Sequence, residues 1–394
     1  RQGRVSGVRR SERKRKTAFH FGWLPSGRPH PLALGTKHLR WLLNVRLTHI
    51  LVAHTTRPAN RPDSTSARAA HPSPISPASG SLSAPLTGTP ARKDLLTIEH
   101  LPTADLLWIL DRSDLYQQDL LSTDPMPARE HLRGRTIANL FFENSTRTRT
   151  SFELAEKRLG AEVVSLSAST SSLSKGESLL DTVRVLESMK LDAIVVRHAA
   201  SGVPAFLADR VKPHLHIINA GDGAHEHPTQ ALLDAAELRA ALGDLKGKRV
   251  VIVGDILHSR VARSNFWLLK KLGASVAVAG PSTLLPRELA EVFGVEVFTS
   301  LDPAVEGADA IIALRIQLER QSRGYFPTLE EYRERYGLQR TAVLEQGSLI
   351  LHPGPVNLGT EVGMELAYGP RSLILQQVRR GVAVRMAVLD WLFS

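Results

Sequence analysis

From Leu95 onward, short apolar runs alternate with segments of helical period, and this alternation limits the possible folds more than any other feature of the chain. The runs at 135–142, 162–166, 192–197, 215–218, 248–254, 274–279, 295–298, 309–313 and 348–352 read as strands. The segments at 103–120, 146–159, 178–189, 203–211, 228–242, 258–271 and 286–292 read as helices. Strands and helices in this order predict an α/β fold of parallel sheets wrapped by helices. Pro204 and Pro228 fall where a first-turn proline is tolerated, which supports those helix starts. Nine strands are many for one sheet, and Lys246-Gly247-Lys248 is the expected hinge region between two βα domains.

The segment before this pattern has a different composition. Residues 1–92 hold 16 Lys and Arg against Glu12 and Asp63, so the leader carries +14 of a chain total of +11 and leaves the rest mildly acidic at −3. A basic nucleic-acid-binding body is therefore not expected. The Pro/Ser/Thr/Ala tract from about Pro62 to Pro90 cannot bury enough apolar surface to offset chain entropy, so a disordered leader is expected. A polyanion-binding tail, an organellar transit peptide and a stretch without a role compete for it; no catalytic role is the favoured reading. Trp41 to Ala53 is too short to span a bilayer and is broken by Arg46, and a soluble, cytoplasmic protein with no membrane partner is expected, organellar if the leader is a transit peptide. The chain has no cysteine, which rules out disulfides, thiolate metal sites and a cysteine nucleophile.

The chemistry is concentrated in Phe141-Phe142-Glu143-Asn144-Ser145-Thr146-Arg147-Thr148-Arg149, where hydroxyls and guanidiniums crowd the first turn of a helix directly after an apolar strand. Ser145 or Thr146 is a natural N-cap. Helix-start N–H groups and the positive dipole end favour an anion, and Arg147 and Thr148 add donors suited to a phosphate. The alternative is an ordinary capped helix with surface arginines. Other polar groups also follow strands, the usual place for sites in open α/β sheets: Arg197-His198, Asn219 to Gly223 leading to His227 and Gln230, Asp255 to Arg260, Arg315-Ile316-Gln317, and His352-Pro353-Gly354-Pro355. Together they suggest an arginine-rich site for a substrate with several negative charges.

With Ser145-Thr146-Arg147-Thr148-Arg149, Ser172-Leu173-Ser174-Lys175-Gly176-Glu177, Val196-Arg197-His198, Asn219 through Gln230, Arg315-Ile316-Gln317 with Glu319-Arg320, and Gly381 through Met386, the chain resembles the aspartate and ornithine carbamoyltransferase family. The likeness is closer to the aspartate branch and runs from about Leu95 to Phe393. It implies two doubly wound parallel-sheet domains joined by helices. A carbamoyl-phosphate-binding domain would cover 93–241, completed by a C-terminal helix over 371–394, and an aspartate-binding domain 242–370. It implies that Ser145, Thr146, Arg147 and Thr148 bind the phosphate, that Arg197 bridges phosphate and carbonyl, that His227 points at the carbonyl oxygen and that Gln230 orients the carbamoyl nitrogen. Gly354 and Pro355 would join this half-site through a backbone carbonyl. Arg260 and Arg315 would clamp the two carboxylates of aspartate, assisted by Gln317. Ser172 and Lys175 would reach the site from a neighbouring subunit of a homotrimer, with Ser171 as the alternative to Ser172 because this loop is one residue shorter than in some relatives.

The implied reaction transfers the carbamoyl group of carbamoyl phosphate to L-aspartate, on the path to UMP, with no cofactor, metal or protein general base. Arg197, Thr148 and His227 would act as an oxyanion hole, and the departing phosphate would take the amine proton. Association of the trimer with regulatory or dihydroorotase-like chains is open. The chain departs from common relatives at Gly354, where some carry leucine, and at Leu358, where arginine is frequent. Within the family the rival is an ornithine enzyme, but its typical His-Cys-Leu-Pro and Ser-Met-Gly segments are absent. Outside it, His225-Glu226-His227 could be the His-x-His of a metal-dependent amidohydrolase, a reading that needs further ligands. A non-enzymatic scaffold with a nucleic-acid arm is a third reading, opposed by the intact anion-binding positions.

Overall fold

The computed structural model describes residues 93–122, 129–167, 177–317, 325, 328–339 and 347–394. The expectations for the leader lie outside these residues. Strands β1 (Thr136–Phe141), β2 (Glu162–Ser167), β3 (Ala193–His198) and β4 (His216–Asp222) form a parallel sheet in the order β2-β1-β3-β4. Strands β5 (Arg249–Val253), β6 (Ser275–Ala279), β7 (Glu296–Phe298), β8 (Ala310–Ala313) and β9 (Leu349–Leu351) form a second parallel sheet in the order β7-β6-β5-β8-β9. The central strands are buried on both faces, which is why they read as unbroken apolar runs. In each sheet the strand order reverses once, between β1 and β3 and between β5 and β8. Ligand crevices form at such switch points, outside the carboxyl ends of the strands.

The helices follow in chain order: α1 (Thr103–Leu121), α2 (Thr146–Arg158), α3 (Leu179–Ser188), α4 (Val203–Ala208), α5 (Pro228–Leu242), α6 (Arg260–Lys271), α7 (Leu289–Phe293), α8 (Leu301–Val305), α9 (Leu329–Tyr336), α10 (Met364–Tyr368) and α11 (Ile374–Phe393). On α2 the buried Thr148, Phe152, Ala155 and Glu156 recur at helical spacing, so one face packs on the sheet while the start of the helix opens beyond β1. Separate apolar cores lie against the two sheets, one including Leu140, Val183, Ile194 and Ile217, the other Val251, Ala277, Ile311 and Leu366. Each of the Leu, Val and Ile side chains contributes roughly 1.5–3 kcal/mol on burial. The chain then returns to the first domain, because α11 packs on α1, α2 and α5. Buried Arg380 fastens it there, donating to Glu237 at 3.0 Å and Asp114 at 2.7 Å.

Several element bounds differ from expectation. Strand β4 continues past Ile218 through Asp222, where a loop was expected. Its polar residues are satisfied inside the fold: Asn219 Nδ2 donates to Asp222 Oδ1 and to the Leu96 carbonyl, both at 2.9 Å. Residue Leu95 pairs alongside, donating to Ile217 O and accepting from Asn219 N. Helix α4 stops at Ala208 rather than 211, and α7 begins at Leu289 rather than 286. The last helix starts at Ile374 instead of 371, because the backbone of Arg371 and Leu373 is engaged with Ile350 of β9. Helices α8, α9 and α10 were not expected; they span five, eight and five residues, too short for a clear period.

Candidate active site

The first candidate anion-binding element forms where β1 ends. Ser145 occupies the N-cap position of α2 in extended conformation, yet its side chain makes no capping hydrogen bond, which leaves the hydroxyl for another acceptor. The N–H groups of Thr146, Arg147 and Thr148 lie in the first turn, where a helix has no internal acceptors to offer. Thr148 is buried, and Arg147 lines the cavity above it. Desolvation and the nearby Arg315 charge both lower the Arg147 pKa. A guanidinium remains charged under such a shift, and the repulsion between the two arginines is relieved by any anion placed between them.

Arg197 is the penultimate residue of β3 and is buried. Its Nη2 donates to Glu143 Oε1 at 2.9 Å and its Nη1 to the Ala220 carbonyl at 3.3 Å. Opposite it the β3–β4 register shifts, since Val196 pairs with Asn219 but His198 with Asp222. The extra residue on β4 falls at Ala220-Gly221, and a bulge of this kind redirects the side chains beside it. Gly221 has φ +113°, and a Cβ there would lie 3.0 Å from Arg260 Nε and 3.3 Å from Arg197 Nη1. A glycine is therefore required for both arginines to pass.

His227 takes the N-cap position of α5, with Pro228 as the first helical residue. Its N–H donates to Ser264 Oγ at 2.8 Å, and Nδ1 is buried with no partner among the described residues. Burial, followed by the charges of Arg197, Arg260 and Arg385, holds the imidazole pKa well below its ordinary value, so the ring is neutral. Gln230 lies in the first turn of α5 and donates Nε2 to Asp234 Oδ1 at 2.9 Å. The rest of the His-x-His segment is committed elsewhere. His225 Nδ1 pairs with Asp222 at 3.0 Å, and the Glu226 carboxylate accepts from Ile98 N and Ser264 Oγ. Among the described residues no three His, Asp or Glu side chains cluster as a metal site.

The second sheet supplies the facing wall. Arg260 opens α6 after β5, where Ser259 caps the helix by accepting from Ala262 N at 3.1 Å. Arg260 grips Glu143 with both Nη groups, at 3.0 Å to Oε2 and 2.5 Å to Oε1. Arg315 follows β8, and Gln317 donates Nε2 to the His258 carbonyl at 3.2 Å. After β9, Gly354 has φ +67°, and a Cβ there would meet the Arg147 guanidinium at 3.1 Å. The turn thus passes close against Arg147. Leu358 lines the same cavity and is partly exposed.

One cavity of about 1410 Å³ is lined by Ser145, Thr146, Arg147, Thr148, Arg197, His227, Gln230, Arg260, Arg315, Gln317, Gly354 and Pro355. It joins the β1/β3 and β5/β8 switch points. Ser171, Ser172, Lys175, Glu319 and Arg320 lie outside the described residues. Sequence reasoning passed over Glu143, which links arginines from the two sheets, and Arg385, buried at the cavity wall with Nη2 3.3 Å from Thr229 Oγ1. A lone acid within an arginine-rich motif was the available signal for Glu143. Five arginines and one carboxylate line the cavity among the described residues.

Comparison with known proteins agrees with this arrangement. Residues 93–240 match the aspartate/ornithine carbamoyltransferase carbamoyl-P binding domain, and residues 246–392 match the Asp/Orn binding domain of the same family. The chain is 54% identical over 303 residues to the aspartate carbamoyltransferase catalytic subunit of Gemmatimonas aurantiaca, covering 76% of this chain and 93% of the relative. Among solved structures it is similar to aspartate transcarbamoylase from Trypanosoma cruzi in complex with carbamoyl phosphate and aspartate, with TM-score 0.67, 29% identity, and 76% and 96% of the two chains covered. The ornithine carbamoyltransferase of Pyrococcus furiosus superposes with TM-score 0.66, 30% identity, and the same two coverages, so the backbone alone does not separate the acceptors. The chain belongs to the aspartate/ornithine carbamoyltransferase family.

Proposed function

We propose that this chain transfers the carbamoyl group of carbamoyl phosphate to the amine of L-aspartate, giving N-carbamoyl-L-aspartate and phosphate. The observation that carries the choice of acceptor is the charge of the cavity, five arginines around one carboxylate that already holds two of them. Such a wall attracts a dicarboxylate and repels a cationic side chain. The 54% identity to an aspartate carbamoyltransferase catalytic subunit points the same way.

In this reading the phosphate sits at the start of α2, on Ser145, Thr146, Arg147 and Thr148. Arg197 spans phosphate and carbonyl, and the carbonyl oxygen faces Thr148, Arg197 and neutral His227. A neutral imidazole suits that role, since it donates one N–H without competing with substrate protons. Gln230 and the 352–355 turn hold the carbamoyl nitrogen. Arg260 and Arg315 receive the carboxylates of aspartate with Gln317, and Arg260 then shares its donors between Glu143 and the substrate. As the aspartate nitrogen bonds to the carbamoyl carbon, negative charge collects on the carbonyl oxygen. The carbon–phosphate oxygen bond then breaks and the departing phosphate takes the amine proton. Each oxyanion donor contributes on the order of 10²–10³ in rate, and holding two small anions in contact contributes several kcal/mol more.

The proposed active unit is a homotrimer in which Ser172, or Ser171, and Lys175 complete a neighbour's site; the polar run from Ser167 to Glu177 and the family resemblance support this. The proposed setting is the cytoplasm, on the path to UMP. A two-substrate assay tests the reading: carbamoyl transfer to aspartate is expected, and transfer to ornithine in preference to aspartate would reject it.

A further inference from the structure

Resting on that reading, we propose that Asp234 is a positioning residue that sets the hydrogen-bond polarity of the carbamoyl pocket, so that the site selects a substrate bearing an N–H where an acyl phosphate would carry a methyl group. Asp234 lies one turn after Gln230 on α5 and is fully buried. Its Oδ1 accepts from Gln230 Nε2 at 2.9 Å and Gln377 Nε2 at 2.6 Å, and its Oδ2 accepts from Asn265 Nδ2 at 2.9 Å. Three amides from α5, α6 and α11 therefore converge on one carboxylate. Among the described residues no ion pair reaches it. Burial raises its pKa to about 6 against the opposing pull of the three amides, and since all three partners present N–H donors and none offers an acceptor for a carboxyl proton, it serves here as an acceptor.

The consequence is directional. An amide side chain can present either its oxygen or its NH₂ to a neighbour, and an acceptor-only partner removes the choice. With Nε2 held by Asp234, Gln230 keeps Oε1 for the cavity that it lines. With its own Nε2 held the same way, Gln377 turns Oε1 toward the His352 N–H, which it accepts at 2.9 Å. That bond anchors the turn carrying Gly354 and Pro355 at the cavity wall. One carboxylate thus orients the side-chain acceptor and the backbone turn that face the carbamoyl nitrogen. Asn265 Nδ2 is held by the carboxylate and also donates to the Val261 carbonyl at 3.1 Å, which leaves its Oδ1 buried without a partner among the described residues.

The test measures binding of carbamoyl phosphate, acetyl phosphate and inorganic phosphate to the full chain and to its Asp234→Asn and Gln377→Leu variants. An asparagine at 234 can donate, which lets Gln230 turn its NH₂ toward the cavity. The wild-type preference for carbamoyl over acetyl phosphate is expected to fall by about tenfold or more in Asp234→Asn, because a donor then faces the substrate N–H. Inorganic phosphate should bind within about twofold of wild type, which also reports a folded site. Gln377→Leu, which loosens only the turn, should lower the preference by a smaller factor and decides the matter if Asp234→Asn does not fold. Equal weakening of carbamoyl and acetyl phosphate would reduce Asp234 to a structural role and overturn the proposal, as would an unchanged ratio. A wild-type protein that does not prefer carbamoyl over acetyl phosphate would overturn the functional reading beneath it as well.

Discussion

In the first domain the site side chains are braced from behind: Gln230 on Asp234 and Arg197 on the Ala220 carbonyl. In the second domain, Gln317 donates to the His258 carbonyl at 3.2 Å, and Arg260 reaches across to Glu143 of the first. Both halves sit at the switch point of a parallel sheet, yet one is built against a packed interior and the other is braced across the cleft. On the proposed reading, the phosphate half stands on contacts within its own domain, while the carboxylate half draws on Glu143 across the cleft.

The comparison can be broken most severely at its rigid side and at the neighbouring subunit proposed to complete it. Arg147→Ala and Lys175→Ala should each be nearly inactive, with losses on the order of 10³ or more for a preorganised donor pair. Mixing the two after dissociation should restore roughly a quarter of wild-type activity, because in a cyclic trimer some sites regain both residues from adjacent subunits. Mixed trimers that form, by mass, without regaining turnover would refute shared sites. Next, Arg315→Ala should cost about 2–4 kcal/mol in aspartate kcat/KM while carbamoyl phosphate still protects the protein against heat. Loss of that protection with intact aspartate kinetics would reverse the assignment of the half-sites.

A third prediction concerns stability. Burial raises the Glu156 carboxyl to about 8, against a hydrogen bond from Asn139 Nδ2 at 2.7 Å that opposes the shift. A raised acid pKa means that the folded state keeps a proton the unfolded chain has already lost. The contribution is therefore full below the ordinary value of 4.5 and is lost as pH rises toward 8. Glu156→Gln removes the titration and offers an amide to Asn139, so its stability relative to wild type should grow by up to about 3 kcal/mol between pH 5 and 8. Parallel melting-temperature profiles for the two proteins would show that the buried carboxyl is not protonated. The smallest effect is expected at the clasp. Glu143→Gln keeps the shape but weakens the charge-assisted grip on Arg197 and Arg260, and a loss of about 1–2 kcal/mol in kcat/KM is expected. If affinity for inorganic phosphate alone collapses as well, the phosphate half depends on the clasp and the two halves are not separable.

The alternation of runs from Leu95 onward was enough to find the nine strands among the described residues and most helices there, and it is plainest in the central strands, where burial on both faces needs unbroken apolar residues. The site was legible for a related reason. Arg197 lies at the carboxyl end of β3, and Ser145 through Thr148, Arg260 and Arg315 lie in the segments that follow β1, β5 and β8, so chain order alone places these residues at the carboxyl edge of a parallel sheet. What was missed had no such local mark. Strand β4 runs on through Asn219 and Asp222 because these residues satisfy one another inside the fold, and helix α8 forms around Pro303 with too few residues to show a period.

The sequence by itself determined the layer architecture, the helix start crowded with hydroxyls and guanidiniums, and the arginine-rich character of the site, since each depends on residues close together in the chain. Tertiary structure decided which of those residues meet. Strand order placed the two switch points at one cavity, Gly221 made room for two arginines from different sheets, and the return of α11 brought Gln377 to Asp234, 143 positions away in the chain. A hydrogen bond between residues so far apart leaves no periodic or compositional trace, because its two ends are selected by packing rather than by their neighbours.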